Sequence, residues 1–498
     1  MGRIVVIGLD GFHDEVLQFT PHIDSLFTDN PSGALTSTAP PVTAPAWASF
    51  QTGKNQGKHG LYDFVEFDDS MEATIRDGRS LRSRTVYERL DGAGYECFLY
   101  NLPFSNPARI DGDVVPSWLD SDSQPPTPAD LYDRYDIERP WYPSFDGGTS
   151  ENVETMRKSV EHNCEQFLQV LSADEHDFYF QLVSETDWLQ HEAYFDLFER
   201  PDSDVGAAAR AVLTAVDEHV ARITDELDED DRLLLLSDHG FTGYDRQFYV
   251  NDWLAEEGYL TFGETNIGSK DDGDTSVNVG RVGRFLFRQE WLHPVLRPLR
   301  RAVENVSSAD LSVERGIDLD DSVAVCHSND ERAIRLADRL DDDERRQLRD
   351  EIVAKLNDEP GIEATDGEEL YAGPYAEEAG DIIYSATASA VWRGPAGVVW
   401  RDSRKANHDP HGIVAGIGFD GTDAADLDAS LVDVTPTILA AAGCAIPTDV
   451  DGEPIAALLA DDPDFTEPAP YDVDAADTDA DSGPNTDAEQ RLKDLGYL

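Results

Sequence analysis

Short apolar runs alternate with stretches of helical spacing along most of the chain. That alternation predicts a mostly parallel sheet covered by helices on both faces. Residues 3–9 and 95–100 are the first two strand-like runs, the second following a helical stretch around 85–90. Helical spacing over 154–171 leads into a strand-like run at 177–183, and an alanine-rich stretch, 204–227, opens on Asp204 as N-cap and leads into 232–236. Residues 103–150, rich in Pro, Asp and Ser, read as an excursion from the core. From about 255 to 330 the alternation breaks, which reads as an inserted cap. Further on, 343–356 reads as an amphipathic helix behind Asp341 and Asp342, core character returns at 397–400 and 413–417, and a helix is expected near 432–442. Residues 461–489 hold eleven acids and no base, the composition of a disordered tail, and the apolar 492–498 can dock back onto the fold. The expected organisation is a core in two parts, 1–254 and 331–460, a cap at 255–330 and a tail at 461–498.

Charge narrows the function. The 498 residues carry 101 Asp plus Glu against 39 Lys plus Arg, a formal charge of −62 that repels phosphate backbones and argues against a nucleic-acid scaffold. Apolar residues at 40% are enough for a real core, which excludes wholesale disorder. Only seven of the bases are lysines. An acid-rich, lysine-poor chain suggests adaptation to concentrated salt, where the Debye length falls to about 3 Å at 1 M. Cys97, Cys164, Cys326 and Cys444 lie far apart with no C-x-x-C pair, as expected of free thiols in a reducing compartment. Asp10 interrupts the first apolar run and no small-residue cleavage site follows, so that run reads as a buried strand rather than a signal peptide. No stretch reaches 18 apolar residues, so no membrane span is expected. The expected compartment is the cytoplasm.

In parallel α/β sheets functional groups gather at the carboxyl ends of strands. Three runs end alike: 4–9 runs into Asp10, 177–183 is followed by Asp187 and then His191, and 233–236 by Ser237, Asp238 and His239. A fourth polar cluster, Asn407-His408-Asp409-Pro410-His411-Gly412, precedes the run at 413. Singly these are weak signals. Asp10 alone reads as a helix cap or turn former, and His191 or His408 alone as a surface or satisfied core histidine. With one residue in five acidic, an acid four before a histidine arises by chance about twice in this chain. Together, so many carboxylates in one crevice repel one another unless divalent cations neutralise them. Thr43, followed by Pro45, fits a helix N-cap and nothing more; it also fits a nucleophile, because the same backbone N–H groups favour an anion there. No His or Lys stands beside it in sequence, so activation by a metal is the economical route. Lys54 and Lys58, in Gln51-Thr52-Gly53-Lys54-Asn55-Gln56-Gly57-Lys58-His59-Gly60, belong to a solvated loop or help hold an anionic substrate.

The ordered set resembles the alkaline phosphatase superfamily, most closely its type I phosphodiesterase/nucleotide pyrophosphatase branch. The matching residues are Gly8-Leu9-Asp10-Gly11-Phe12, Pro41-Val42-Thr43-Ala44-Pro45, Thr52-Gly53, His59-Gly60, Asp187 with His191, Ser237-Asp238-His239-Gly240-Phe241, His408 before Gly412, and Asp433-Val434-Thr435-Pro436-Thr437-Ile438-Leu439 with Gly443, Pro447 and Asp451-Gly452. The resemblance covers roughly 1–260 and 340–455. It implies an α/β three-layer sandwich and a site for two divalent metals, zinc by preference with manganese as the alternative. Carried across, Asp10, Thr43, Asp238 and His239 would surround one metal. Asp187, His191 and His408 would surround the other, with His411 as rival to His408. The implied reaction is hydrolysis of a small-molecule phosphodiester through a phosphothreonine at Thr43; a phosphomonoesterase or phosphotransferase, or an inactive binding protein, are the alternatives on this scaffold. No C-x-P-x-R or S-x-P-x-R segment supports a sulfatase. One departure stands out: the pyrophosphatases have Asn three residues after the nucleophile, and this chain has Ala46.

Overall fold

The computed structural model describes residues 2–495 except 68–72, 146, 174, 264–315, 329–331, 392–394, 420, 422–425, 461–462 and 469–484. The centre of the sequence-read cap and most of the acidic tail therefore lie outside the described residues. Eight strands form the central sheet: β1 Ile4–Leu9, β2 Ser32–Thr36, β3 Cys97–Tyr100, β4 Asp113–Val115, β5 Phe178–Val183, β6 Arg232–Leu236, β7 His411–Ile417 and β8 Asp426–Ser430. Their order is β8-β2-β7-β6-β1-β5-β3-β4. β7 pairs antiparallel with both neighbours and the other pairings are parallel, so the sheet is mixed and mostly parallel, as expected.

β1 shows why the chain folds this way. All six of its residues are buried, as a strand covered on both faces requires. Val5, Ile7 and Leu9 enter one apolar cluster with helices Thr149–Leu171, Glu185–Phe198 and Asp204–Asp225. Ile4 and Val6 enter a second, with helices Val86–Gly92 and Val434–Ala441 and with Trp47 and Phe50 of helix Thr43–Thr52. Helices thus cover both faces of the sheet. Gly8 is required by that packing, since a Cβ there would lie 2.4 Å from Cη2 of Trp47.

Several expected boundaries move. The stretch 103–150 is no excursion: Val114 and Val115 of β4 close one edge of the sheet, and Trp118, Leu119 and Leu131 are buried in the first cluster. Strands Ala324–Cys326 and Ala333–Leu336 pair with each other across the boundary drawn at 330. Their four-stranded sheet continues through Ile382–Ala386 to Ile362–Asp366, and with Phe248, Trp253, Ile352 and Leu356 it builds a second core. This lobe is made of residues on both sides of 330. Val398, read as core, is 39% exposed. Ser203, not Asp204, caps its helix, and Asp341 caps helix Asp342–Asn357 in a capping box with Glu344. At the end of the chain, helix Thr486–Leu495 buries Ala488 and Leu492 against the first cluster. All four cysteines are free, and no helix among the described residues is long and apolar enough to cross a membrane.

Candidate metal centre

β6, β1 and β5 are adjacent and parallel, so their carboxyl ends lie side by side: Leu9 is level with Val183 and Gly8 with Leu236. Asp10 leaves β1 there, its N–H donating to Val183 O at 3.2 Å. Asp238 and His239 leave β6. Beyond β5 the chain turns into helix Glu185–Phe198, and the four-residue spacing stacks Asp187 and His191 on one face of its first two turns. His408 arrives differently. It lies on strand Trp400–Asp409, which pairs antiparallel with Gly240–Tyr249 and sets His408 level with Phe241. That pairing lays the His408 ring on that of His239, centroids 4.0 Å apart.

Two triads result, Asp10/Asp238/His239 and Asp187/His191/His408, each with one donor atom per residue within 4.8 Å of the others. In the first, His239 Nε2 lies 3.2 Å from Asp238 Oδ2 and 3.7 Å from Asp10 Oδ1. In the second, His191 Nε2 is 3.4 Å from Asp187 Oδ2, His408 Nε2 is 3.5 Å from Asp187 Oδ1, and the two Nε2 atoms face each other at 3.1 Å. Thr43 is buried, with Oγ1 3.1 Å from His239 Nε2. Its helix begins at Thr43 itself, with Val42 as N-cap, one residue earlier than the cap assignment from sequence.

The donor set fits divalent cations. His239 Nδ1–H donates to Gly240 O at 3.0 Å and His408 Nδ1–H to Pro41 O at 3.1 Å. In both rings that leaves the Nε2 lone pair turned into the cluster, the arrangement backbone carbonyls impose on ligating histidines. Asp10 Oδ1 and Asp238 Oδ2 are buried without a hydrogen-bond partner among the described residues. Buried oxygens of that kind are costly unless a cation meets them. Burial first, and then Asp238 and Asp187, holds the Asp10 carboxyl well above the usual carboxylate range. Burial likewise raises Asp238, drives His191 down to about 3 and His408 well below its ordinary value. Neutral imidazoles beside crowded carboxylates are what a cation needs and what water alone does not satisfy.

The structure brings Asp10, Thr43, Asp187, His191, Asp238, His239 and His408 together. His411 is apart: it is exposed, its Nδ1 2.7 Å from Asp409 Oδ1. Lys54 and Lys58 are not brought to the cluster. They lie beyond the far end of helix Thr43–Thr52, a run of about 15 Å at 1.5 Å per residue, where Lys54 pairs with Asp449 and Lys58 with Asp451. Two contributors had no signal in residue type, the carbonyls of Pro41 and Gly240. A third, Phe241, sets its ring edge-on to His191 at 4.8 Å and was visible only as the last letter of a motif.

A mostly parallel α/β sheet with two carboxylate–imidazole triads at its carboxyl edge is the alkaline phosphatase-like fold. Solved structures agree on the fold. Alkaline phosphatase PafA is 12% identical over 92% of this chain and 99% of its own, with a TM-score of 0.54. Phosphonoacetate hydrolase from Sinorhizobium meliloti 1021, in complex with phosphonoformate, is 14% identical over 83% and 90%, with a TM-score of 0.53. Human ectonucleotide pyrophosphatase/phosphodiesterase 5 is 14% identical over 88% and 94%, with a TM-score of 0.50. A comparison with curated proteins finds no match. The chain belongs to the type I phosphodiesterase/nucleotide pyrophosphatase family, whose pattern it matches over residues 4–391. That span contains every residue of the site except His408.

Proposed function

We propose that this protein is a metal-dependent phosphodiester hydrolase in which Thr43 is the nucleophile. The observation that carries the reading is the placement of the Thr43 hydroxyl 3.1 Å from Nε2 of His239, a member of one of two adjoining carboxylate–imidazole triads. Asp10, Thr43, Asp238 and His239 would hold one divalent cation and Asp187, His191 and His408 a second; carboxylate–imidazole sets suit zinc, with manganese as the alternative. Bound there, such a pair supplies charge neutralisation at the phosphoryl oxygens and lowers the pKa of a hydroxyl.

The chain's own contribution is position. Thr43 Oγ1 is held at the first residue of a helix, where free N–H groups favour negative charge. Attack forms the Oγ1–P bond and breaks the bond to the departing ester oxygen, which leaves as an alcohol or a nucleoside phosphate. Water then cleaves the phosphothreonine, releasing the remaining phosphomonoester and restoring Thr43. Ala46 supplies no donor to the phosphoryl group, and loss of one such donor costs about 2.7–4 kcal/mol in analogous oxyanion sites. The reading therefore favours a slow or narrowly specific diesterase.

Hydrolysis of bis-p-nitrophenyl phosphate and of the monoester, in high salt with zinc or manganese, tests it. The diester is expected to turn over faster, a chelator to abolish turnover, and Thr43→Ala to lower it at least about a thousand-fold. Equal rates in Thr43→Ala remove Thr43 from the mechanism, and a faster monoester reassigns the substrate class.

A further inference from the structure

The two triads stand on different kinds of support. Asp10 and Asp238 leave neighbouring strands, so the hydrogen-bond ladder between β1 and β6 fixes one against the other. Asp187 and His191 ride on helix Glu185–Phe198, which no ladder ties to the sheet. A pair of cations that clamps one phosphoryl group needs a spacing of about 3.5–4 Å, and such a site tolerates errors of only about 0.5 Å. Something must therefore fasten that helix to the strand ends.

The residue immediately before each helix ligand does so. Thr186 and Gln190 are each 1% exposed, and their four-residue spacing puts them on one face, about 100° round the helix from Asp187 and His191. Thr186 Oγ1 donates to Asp10 O at 2.6 Å and also lies 2.9 Å from Val183 O, the carbonyl that receives the Asp10 N–H. Gln190 Nε2 donates to Gly11 O at 2.8 Å and to Thr186 O at 3.1 Å. Both of its amide protons thus go to carbonyls, so Oε1 must accept, and His13 Nε2–H donates to it at 2.9 Å. Gly11 is where the triads meet. Its N–H donates to Asp238 Oδ1 at 3.1 Å, and at φ +64° its backbone runs so near the helix that a Cβ would lie 3.0 Å from Asp187 Oδ1.

We infer that Thr186 and Gln190 are positioning residues that set the separation of the two triads by fastening helix Glu185–Phe198 to the Asp10–Gly11 backbone. This rests on the two-metal reading above and adds to it what holds the metals at a fixed distance. The bonds run to the carbonyls of Asp10 and Gly11, so each side chain acts through the backbone that delivers the Asp10 carboxylate. Threonine and glutamine suit the task because each offers a neutral donor and adds no charge to a cluster already crowded with carboxylates. Hydrogen-bond partners that orient metal ligands typically change affinity by about 10–100-fold when removed.

Manganese binding to the metal-free protein in high salt, followed by calorimetry and electron paramagnetic resonance, tests the inference without turnover. The unaltered protein is expected to take up two ions and to show the spectrum of a spin-coupled pair. Thr186→Val and Gln190→Met nearly keep the side-chain size and remove the donor. Each should weaken the second ion by about ten-fold or more, leave the first nearly unchanged, and replace the coupled spectrum with that of isolated ions. Thr186→Ser, which keeps the hydroxyl, should keep both ions and their coupling. Each variant is read by itself, so one that fails to fold leaves the other decisive. A coupled pair that persists in both variants, or an equal loss of both ions, overturns the positioning role and leaves the two-metal reading standing. An unaltered protein that binds no second manganese overturns that reading, and this inference with it.

Discussion

His59 and His219 are locked as neutral imidazoles far from solvent, and the fold gains from them only in that form. His59 Nδ1 accepts the Leu61 N–H at 3.2 Å while Nε2–H donates to Ser49 Oγ at 3.0 Å, so a second ring proton has no place to go. His219 Nε2–H donates to Gln181 Oε1 at 2.6 Å and Nδ1 is buried without a partner among the described residues. Burial pushes both down to about 3 from an ordinary value near 6.5. Above pH 6.5 neither form of the protein binds the extra protons. Between 6.5 and 3 the unfolded chain takes them up and the folded one does not, so stability falls with pH by about 1.4 kcal/mol per unit for each ring. His219→Gln should flatten the acid limb of a denaturation-versus-pH series by one proton's worth and leave the slope above pH 7 unchanged. At this scale the residues of the two triads were legible because carboxylates and imidazoles stood directly after apolar runs. Lys54 and Lys58 misled for the opposite reason: conspicuous bases in an acid-rich chain find a local acid, here Asp449 and Asp451.

The approach of β1 to helix Thr43–Thr52 sets where Thr43 stands. Trp47 is one turn after Thr43 on the same helix, and its indole lies over Gly8, whose place in β1 is two residues before Asp10. A methyl at position 8 would lie 2.4 Å from Cη2 and 3.1 Å from Leu182 Cδ1, in a core where neither ring nor strand has space to yield. Gly8→Ala is therefore expected to cost about 1–3 kcal/mol in chemical denaturation. It should also lower diester turnover by more than stability alone explains, because relief comes from moving the helix that carries the nucleophile. An unchanged turnover in a destabilised Gly8→Ala protein would separate the packing from the site. Elements of this kind were readable where strands hold four or more apolar residues, as in β1, β5 and β6. They were not where strands are three residues long, as Asp113–Val115 and Ala324–Cys326 are, since three positions carry no period. For the same reason the lobe was cut at 330, through the middle of its own sheet. His408 belongs to this class as well: its motif was visible, but not that it reaches the site on a ribbon beside the sheet instead of on a strand tip.

At the scale of the whole molecule, charge decides the conditions under which all of this holds. If every one of the 39 bases paired with an acid, 62 acids would remain unpaired. Ion pairs are numerous on the described surface, Arg404 with Glu199 and Arg157 with Glu154 among them, yet exposed pairs contribute about 0–1 kcal/mol each and weaken further in salt. Two opposing effects of salt thus compete, loss of surface pairs and relief of repulsion among unpaired carboxylates. The second is expected to win because the imbalance is large and repulsion acts over the Debye length, about 10 Å at 0.1 M but about 3 Å at 1 M. The melting temperature should accordingly rise between 0.1 and 1 M potassium chloride, as the Debye length shrinks about three-fold. Strengthening of apolar burial by excluded solutes is a separate effect, which sucrose at matched osmolality isolates. A rise with potassium chloride that sucrose does not reproduce supports relief of repulsion, and a melting temperature indifferent to the salt across that range would overturn it.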